Sequence, residues 1–127
     1  MPTIPELAAQ LRNCLPDTQI LGDANSLIVR PQNIEQIQKC YALADKYGFR
    51  FKLQSQGKNW GYTQPADGGI MLDLSLLNKI VDFDEKLAYI VIEPGVTFQQ
   101  VYEFLKAKNS NLMMPVTGGP PEGSVLA

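Results

Sequence analysis

Apolar residues recur along the 127-residue chain at two spacings, one typical of helices and one typical of strands. Sequences of the capping-box type at residues 3–6, 33–36 and 97–100 mark three helix starts, and Gly48 marks one helix end. The positions that we expect to face inward are Leu7, Ala8, Leu11 and Leu15 in the first helix, Ile34, Ile37, Tyr41 and Ala44 in the second, and Val101, Phe104 and Leu105 in the third.

The other apolar segments are shorter and richer in β-branched and aromatic residues, and glycine, proline or polar turns separate them. They predict strands over residues 26–30, 49–53, 70–74, 79–83, 87–92 and 112–114. The resulting order, α-β-α-β-β-β-β-α-β, lacks the regular alternation of a doubly wound sheet. The pattern therefore indicates an α+β fold in which a small mixed sheet is flanked by helices.

Composition narrows the functions that this chain could carry. It contains no histidine, which excludes Ser-His-Asp and Cys-His catalysis and any histidine-ligated metal or haem. Its formal charge is −2, from 11 basic and 13 acidic residues. A nucleic-acid partner is not expected, because such proteins normally carry a basic stripe.

The cysteines and the apolar stretches indicate the cellular compartment of the protein. Cys14 and Cys40 show no Cys-x-x-Cys spacing, so we expect two reduced, partly buried side chains. The longest apolar stretch, residues 87–92, is far shorter than the roughly 20 residues of a membrane span. Residues 1–6 lack a basic segment followed by an apolar one, so we expect no secretory signal. The sequence therefore predicts a cytoplasmic protein with no membrane contact.

Two glycine-rich segments are the candidates for chemistry. The first runs from Ser55 to Tyr62 within a long loop after a predicted strand, and the second runs from Pro115 to Ser124. Glycine permits a positive φ and a close approach of a ligand to the backbone, and successive N–H groups in such a turn can bind an anion. Lys58 adds a positive charge to the first segment.

Two interpretations of these loops are open when composition is considered alone. Neither loop has the Gly-x-Gly-x-x-Gly spacing of dinucleotide folds or the Gly-Lys-Ser/Thr ending of a phosphate-binding loop. Composition therefore favours plain connections. The length of the first loop favours a ligand site, because long loops inside compact domains are often functional.

Three blocks, taken in order, make the chain similar to the FAD-binding domain of the p-cresol methylhydroxylase / vanillyl-alcohol oxidase superfamily. They are Gly57-Lys58-Asn59-Trp60-Gly61-Tyr62; then Gly69 to Ser75, Leu77 to Ile80, Ala88-Tyr89 and Glu93-Pro94-Gly95-Val96-Thr97; and finally Pro115, Gly118-Gly119 and Gly123-Ser124-Val125. The resemblance divides the chain into an N-terminal helix and connection, residues 1–24, and the N-terminal part of an FAD-binding domain, residues 25–127.

The resemblance implies that FAD is the cofactor and that backbone amides of the first loop hold its diphosphate. By position, the implied residues of the first loop are Ser55, Gln56, Gly57, Lys58, Asn59, Trp60 and Gly61. The third block would line the flavin and the diphosphate through Pro115, Thr117, Gly118, Gly119 and Ser124. A flavin linked covalently to histidine is excluded for this chain, which has no histidine.

Two side chains near these blocks each have two interpretations. The Glu93 carboxylate could act on substrate, but its place beside Pro94 favours a structural role in which it accepts nearby backbone N–H groups. Trp60 could lie on the cofactor or plug the core beneath the loop, and nothing in the sequence favours either interpretation.

The function that the resemblance implies is oxidation of a small organic substrate by hydride transfer to FAD. We expect the 127-residue chain to be an incomplete, inactive part of such an oxidoreductase that binds FAD weakly or undetectably by itself. The substrate pocket and the catalytic residues would then lie beyond Ala127. The alternative is a non-catalytic remnant or binding subunit that self-associates or needs a second chain to complete a nucleotide pocket.

Overall fold

A computed structural model describes residues 1–58, 69–114 and 119–126 of the chain. In these residues the helices are α1 (Ile4–Arg12), α2 (Ile34–Tyr47) and α3 (Phe98–Ala107), with one 3₁₀ turn at Asp17–Gln19. The strands are β1 (Ile20–Gly22), β2 (Ser26–Val29), β3 (Phe51–Gln54), β4 (Gly69–Asp73), β5 (Ile80–Asp84) and β6 (Tyr89–Ile92). The predicted α+β fold is confirmed.

The first four strands form one mixed sheet in the order β1-β2-β4-β3. Strands β2, β3 and β4 run parallel, and β1 is antiparallel to β2. The register places Val29, Leu72 and Leu53 side by side on one face. Because β2, β3 and β4 point the same way, the segments that follow them emerge at one end of the sheet.

Helices α1 and α2 pack on that face and enclose the main hydrophobic core. Ten buried residues form it: Leu7, Ala8, Leu11, Leu15, Ile20, Leu27, Val29, Cys40, Ile70 and Leu72. The predicted inward face of α1 is therefore correct. The prediction for α2 is partly wrong, because Ile34 and Tyr41 are exposed and Cys40 is the residue that joins Ala44 inside.

Strands β5 and β6 form a separate antiparallel hairpin that packs against α3. The ring of Phe83 on β5 meets the ring of Phe104 on α3 edge to face, with centroids 5.2 Å apart. The buried residues of this part are Leu77, Val96 and Val101. The outward side chains of the hairpin stay exposed.

The helix starts follow the capping sequences, but only one of the three is a complete box. Thr3 and Glu6 satisfy each other's backbone N–H groups. Asn33 and Thr97 cap the next two helices, whereas the glutamine three residues later points elsewhere in each case. The Gln36 side chain accepts from Gln32, and the Gln100 side chain donates to the Asn78 carbonyl.

Two further differences from the predicted elements concern short segments. Strand β1 is absent from the prediction, because three residues are too few to show a periodic pattern. Residues 112–114 lie next to α3 without forming a strand. No helix in the described ranges is long and apolar enough to cross a membrane.

Candidate functional site

The centre of the candidate site is the turn after β6, residues 93–97. Gly95 donates its backbone N–H to the Leu77 carbonyl at 2.7 Å, and Val96 donates to the Glu93 carbonyl at 3.1 Å. A Cβ on Gly95 would lie only 2.6 to 2.8 Å from the carbonyl oxygens of Leu74, Ser75 and Leu77. Only glycine allows so close a backbone approach, so this turn is fixed in place.

Glu93 performs the structural role that its sequence position favours. Its carboxylate accepts the backbone N–H of Lys79 at 2.8 Å, and Glu93 itself donates its backbone N–H to the Lys79 carbonyl at 2.9 Å. These paired bonds join the start of β5 to the end of β6. The carboxylate is therefore engaged in holding the turn.

The first glycine loop leaves the sheet at the carboxyl end of β3 and reaches this turn. Gly57 has a φ of 70°, in the left-handed region that glycine adopts without strain. The side-chain amide of Gln56 donates to the Gly95 carbonyl at 2.6 Å. Two segments that are 39 positions apart in the chain are thereby joined.

The third block also reaches this turn. The buried hydroxyl of Ser124 donates to the Pro94 carbonyl at 2.5 Å, and Val125 donates its N–H to the Val96 carbonyl at 3.0 Å. Ser124 also forms a bridge with Thr97. The side chain of Ser124 therefore holds the third block to the turn.

Of the twelve residues that the resemblance implies, the structure describes Ser55, Gln56, Gly57, Lys58, Gly119 and Ser124. The other six, Asn59, Trp60, Gly61, Pro115, Thr117 and Gly118, lie outside the described residues, and the question about Trp60 lies there too. The described six belong to two loops that meet at one turn.

Gly119 has a local reason for being glycine. A Cβ at this position would lie 2.3 Å from a ring carbon of Phe98, the first residue of α3. Larger residues would push this ring aside. Gly119 therefore allows the third block to cross the start of α3 closely.

The backbone N–H groups in the described part of the first loop are suitable donors for a bound anion. Within residues 1–58, 69–114 and 119–126, no acceptor takes the backbone N–H groups of Ser55, Gln56, Gly57 or Lys58. The loop contains no carboxylate, and Lys58 is exposed. Such a turn at the carboxyl end of parallel strands matches the place where open α/β sheets bind nucleotides.

Sequence reasoning did not single out Gly95 as a centre of the site. The Gly95 carbonyl is contacted by Gln56, 39 positions earlier, and the neighbouring Pro94 carbonyl is contacted by Ser124, 30 positions later. No local pattern reports such pairs. The available signal was the Glu-Pro-Gly sequence itself, because glycine after proline at a strand end indicates a tight turn.

Comparison with known proteins identifies the family. The FAD binding domain family matches residues 25–126, most of the chain. The chain is also 33% identical over 94 residues to the 4-cresol dehydrogenase [hydroxylating] flavoprotein subunit of Pseudomonas putida, covering 72% of this chain and 18% of that protein. This chain therefore belongs to the FAD binding domain family, and FAD is its cofactor.

A further curated relative and a solved structure that shares the fold are also similar to this chain. The 1'-carboxy-chondrochloren decarboxylase of Chondromyces crocatus is 41% identical over 102 residues, covering 78% of this chain and 19% of that protein. The solved structure of 4-ethylphenol oxidase from Gulosibacter chungangensis superposes with a TM-score of 0.84 at 23% identity, covering 96% of this chain and 28% of that one. The chain spans about a fifth of the length of the curated relatives that it matches.

Proposed function

We propose that this chain holds FAD in a flavoprotein oxidoreductase that oxidises a small organic substrate by hydride transfer to the flavin. The observation that carries the proposal is the meeting of two glycine loops at the turn of Pro94, Gly95 and Val96. The names of the relatives include a dehydrogenase and a decarboxylase, so the family defines the cofactor and leaves the substrate open.

The first loop supplies the contacts to the diphosphate in this proposal. The backbone N–H groups of residues 55–61 donate to the phosphate oxygens, and Lys58 adds a positive charge at the solvent side. Donors fixed in a loop bind a diphosphate without a metal ion. Within the described ranges there is no cluster of three or more acidic, histidine or cysteine side chains that could hold one.

By the resemblance, the third block would line the flavin through Pro115, Thr117, Gly118, Gly119 and the backbone of Ser124. The Ser124 hydroxyl is already engaged with Pro94, so it positions this block and does not contact the cofactor. The flavin, when bound, supplies the hydride acceptor, and the protein's task is to bind and orient it.

The test is a chemical-shift titration of the ¹⁵N-labelled 127-residue chain with FAD. We expect weak binding, in the millimolar range that this method still measures, because the pocket contacts of a much longer protein are not all in this chain. The expected shifts centre on the amides of Gly57 and Lys58. Shifts confined to other parts of the chain, or none at millimolar FAD, would contradict the proposal.

Gly57→Val should abolish this binding, because a side chain at that turn would both oppose the positive φ and block the approach of the phosphates. Gly48→Val is the matched control, since Gly48 has a nearly identical φ of 72° at the end of α2, with nothing within 4 Å of its Cβ position. The control should lose stability and keep its affinity for FAD. Equal affinity in both variants would show that the loop does not face the ligand.

A second candidate function is that of a subunit completed by another chain. The hairpin exposes four large apolar side chains, Val81 by 63%, Leu87 by 73%, Tyr89 by 41% and Val91 by 46%, and exposed apolar residues of this kind are found at interfaces. Sedimentation velocity at increasing concentration tests this candidate directly. Self-association that the Val91→Lys variant weakens would support it, and a strict monomer at high concentration would count against it.

A further inference from the structure

We propose that the side chain of Gln56 is a positioning residue, which ties the first glycine loop to Gly95 and so presents the loop's N–H groups to the diphosphate. This proposal rests on the proposed function, because it concerns the affinity of the same loop for FAD. Gln56 enters the resemblance only as one of several backbone donors. The structure assigns its side chain a separate task.

The hydrogen bond from the Gln56 side chain to the Gly95 carbonyl, called the tie from here on, has a specific geometry. The Gln56 amide lies 2.6 Å from the Gly95 carbonyl oxygen in a half-buried position, where water competes poorly for the bond. The bond comes one residue before Gly57, where the backbone turns through a φ of 70°. A bond at this position restricts the part of the loop that must keep its unusual conformation.

The partner of Gln56 is a rigid anchor. Gly95 itself is buried, and its backbone packs against three carbonyl groups and donates to the Leu77 carbonyl at 2.7 Å. The Ser124 hydroxyl donates to the carbonyl of the preceding residue, Pro94, and so holds it as well. Because these contacts hold the anchor in place, a bond to it orders the loop, whereas a bond to a mobile segment would not.

Ordering of the loop before FAD arrives reduces the entropy that binding must remove. A hydrogen bond between neutral groups contributes about 1 kcal/mol net, and that free energy corresponds to about a fivefold change in affinity. We therefore expect loss of the Gln56 amide to weaken FAD binding by about fivefold and to leave the fold intact.

Gln56→Met tests the proposal because methionine keeps the length of the side chain and removes the amide. The matched control is Gln100→Met, since the Gln100 amide also donates to a backbone carbonyl at 2.6 Å, that of Asn78, away from the first loop. Gln56→Asn is a second variant that keeps an amide but withdraws it by one methylene group. Urea unfolding of every variant records its stability.

Two measurements on each variant decide the outcome. The ¹⁵N relaxation order parameters of the Gly57 and Lys58 amides, measured without FAD, report whether the tie orders the loop. Chemical-shift titration with FAD reports whether that order affects affinity. We expect Gln56→Met and Gln56→Asn to lower the order parameters of these two amides and to weaken binding about fivefold, while Gln100→Met changes neither.

Each contrary result has a distinct meaning. Unchanged order parameters in Gln56→Met would show that there is no tie, and lower order parameters with unchanged affinity would show that the tie has no role in binding. If Gln100→Met weakened FAD binding equally, the effect of Gln56→Met would reflect a general loss of stability. If the wild-type chain shows no FAD-dependent shifts, the proposed function fails, and the order parameters alone still decide whether Gln56 orders the loop.

Discussion

The two layers of this molecule differ in how completely they enclose their apolar side chains. The sheet layer, formed by α1, α2 and β1–β4, buries ten hydrophobic residues in one cluster between the sheet and its helices. The hairpin layer, formed by β5, β6, α3 and the segments that flank them, buries Leu77, Val96 and Val101. A two-stranded hairpin has little stability alone and depends on what packs against it.

The candidate site lies where these two layers meet. The difference in how completely the layers are packed explains this position. Gln56 extends from the sheet layer, and Gly95 and Ser124 belong to the hairpin layer. A well-packed sheet gives the first loop a fixed origin, while the turn after β6 gives it a fixed contact. Binding residues are often placed in this way, on loops that rigid elements position.

The largest effect should come from creating a cavity in the sheet layer. Leu72 on β4 is completely buried, so Leu72→Ala should lower the free energy of unfolding by about 4 kcal/mol. Leu87→Ala in the hairpin layer is the matched control, because Leu87 is 73% exposed, and it should cost less than about 0.5 kcal/mol. Urea unfolding measures both. Similar losses for the two variants would refute the contrast between the layers.

A smaller effect is expected where the layers join. Gly95→Ala should lower the free energy of unfolding by about 3 kcal/mol, because the added methyl group would press against three carbonyl oxygens. Gly48→Ala adds the same group where nothing lies within 4 Å, and its positive φ should cost about 1 kcal/mol. Thermal or urea unfolding separates these values. A Gly95→Ala protein as stable as Gly48→Ala would mean that the turn can relax.

The smallest of the three effects depends on pH and belongs to the sheet layer. Burial, and secondarily the charge of Cys14, raises the pKa of the Cys40 thiol to about 11. The unfolded chain ionises this thiol near pH 9, whereas the folded chain keeps it protonated up to about pH 11. The stability contributed by the buried thiol is therefore fully present below pH 9 and falls between pH 9 and pH 11.

Cys40→Ala isolates this contribution from other groups that titrate at high pH. We expect the wild-type chain to lose about 2 kcal/mol more than the variant between pH 9 and pH 11. Urea unfolding at several pH values measures the difference. Parallel pH profiles for the two proteins would show that Cys40 ionises equally well in the folded chain.

Local signals in the sequence were sufficient for the helices and for most strands. The capping residues Thr3, Asn33 and Thr97 begin their helices as predicted, because each side chain bonds to a backbone N–H only three positions away. The inward face of α2 could not be predicted as well. Its apolar residues cover more than one face, and the neighbouring sheet selects Cys40 and Ala44 rather than Ile34 and Tyr41.

The candidate site shows the same division between local and distant information. The glycine at position 57 and the basic residue beside it could be recognised in the sequence, because a turn that permits positive φ is a local property. The bond from Gln56 to Gly95 could not, since glutamine on a loop has many available acceptors. Its partner is defined only when β3 and β6 have taken their places.

The sequence by itself determined the α+β class, the capped helices, the glycine loops and, through resemblance, the cofactor, because short-range periodicity and motif order are written in neighbouring residues. Only the tertiary structure decided which loops meet, which side chains hold them and which apolar faces stay uncovered. The loops meet through bonds from side chains to backbone carbonyls that lie 30 and 39 positions away in the chain, and no local pattern specifies such pairs.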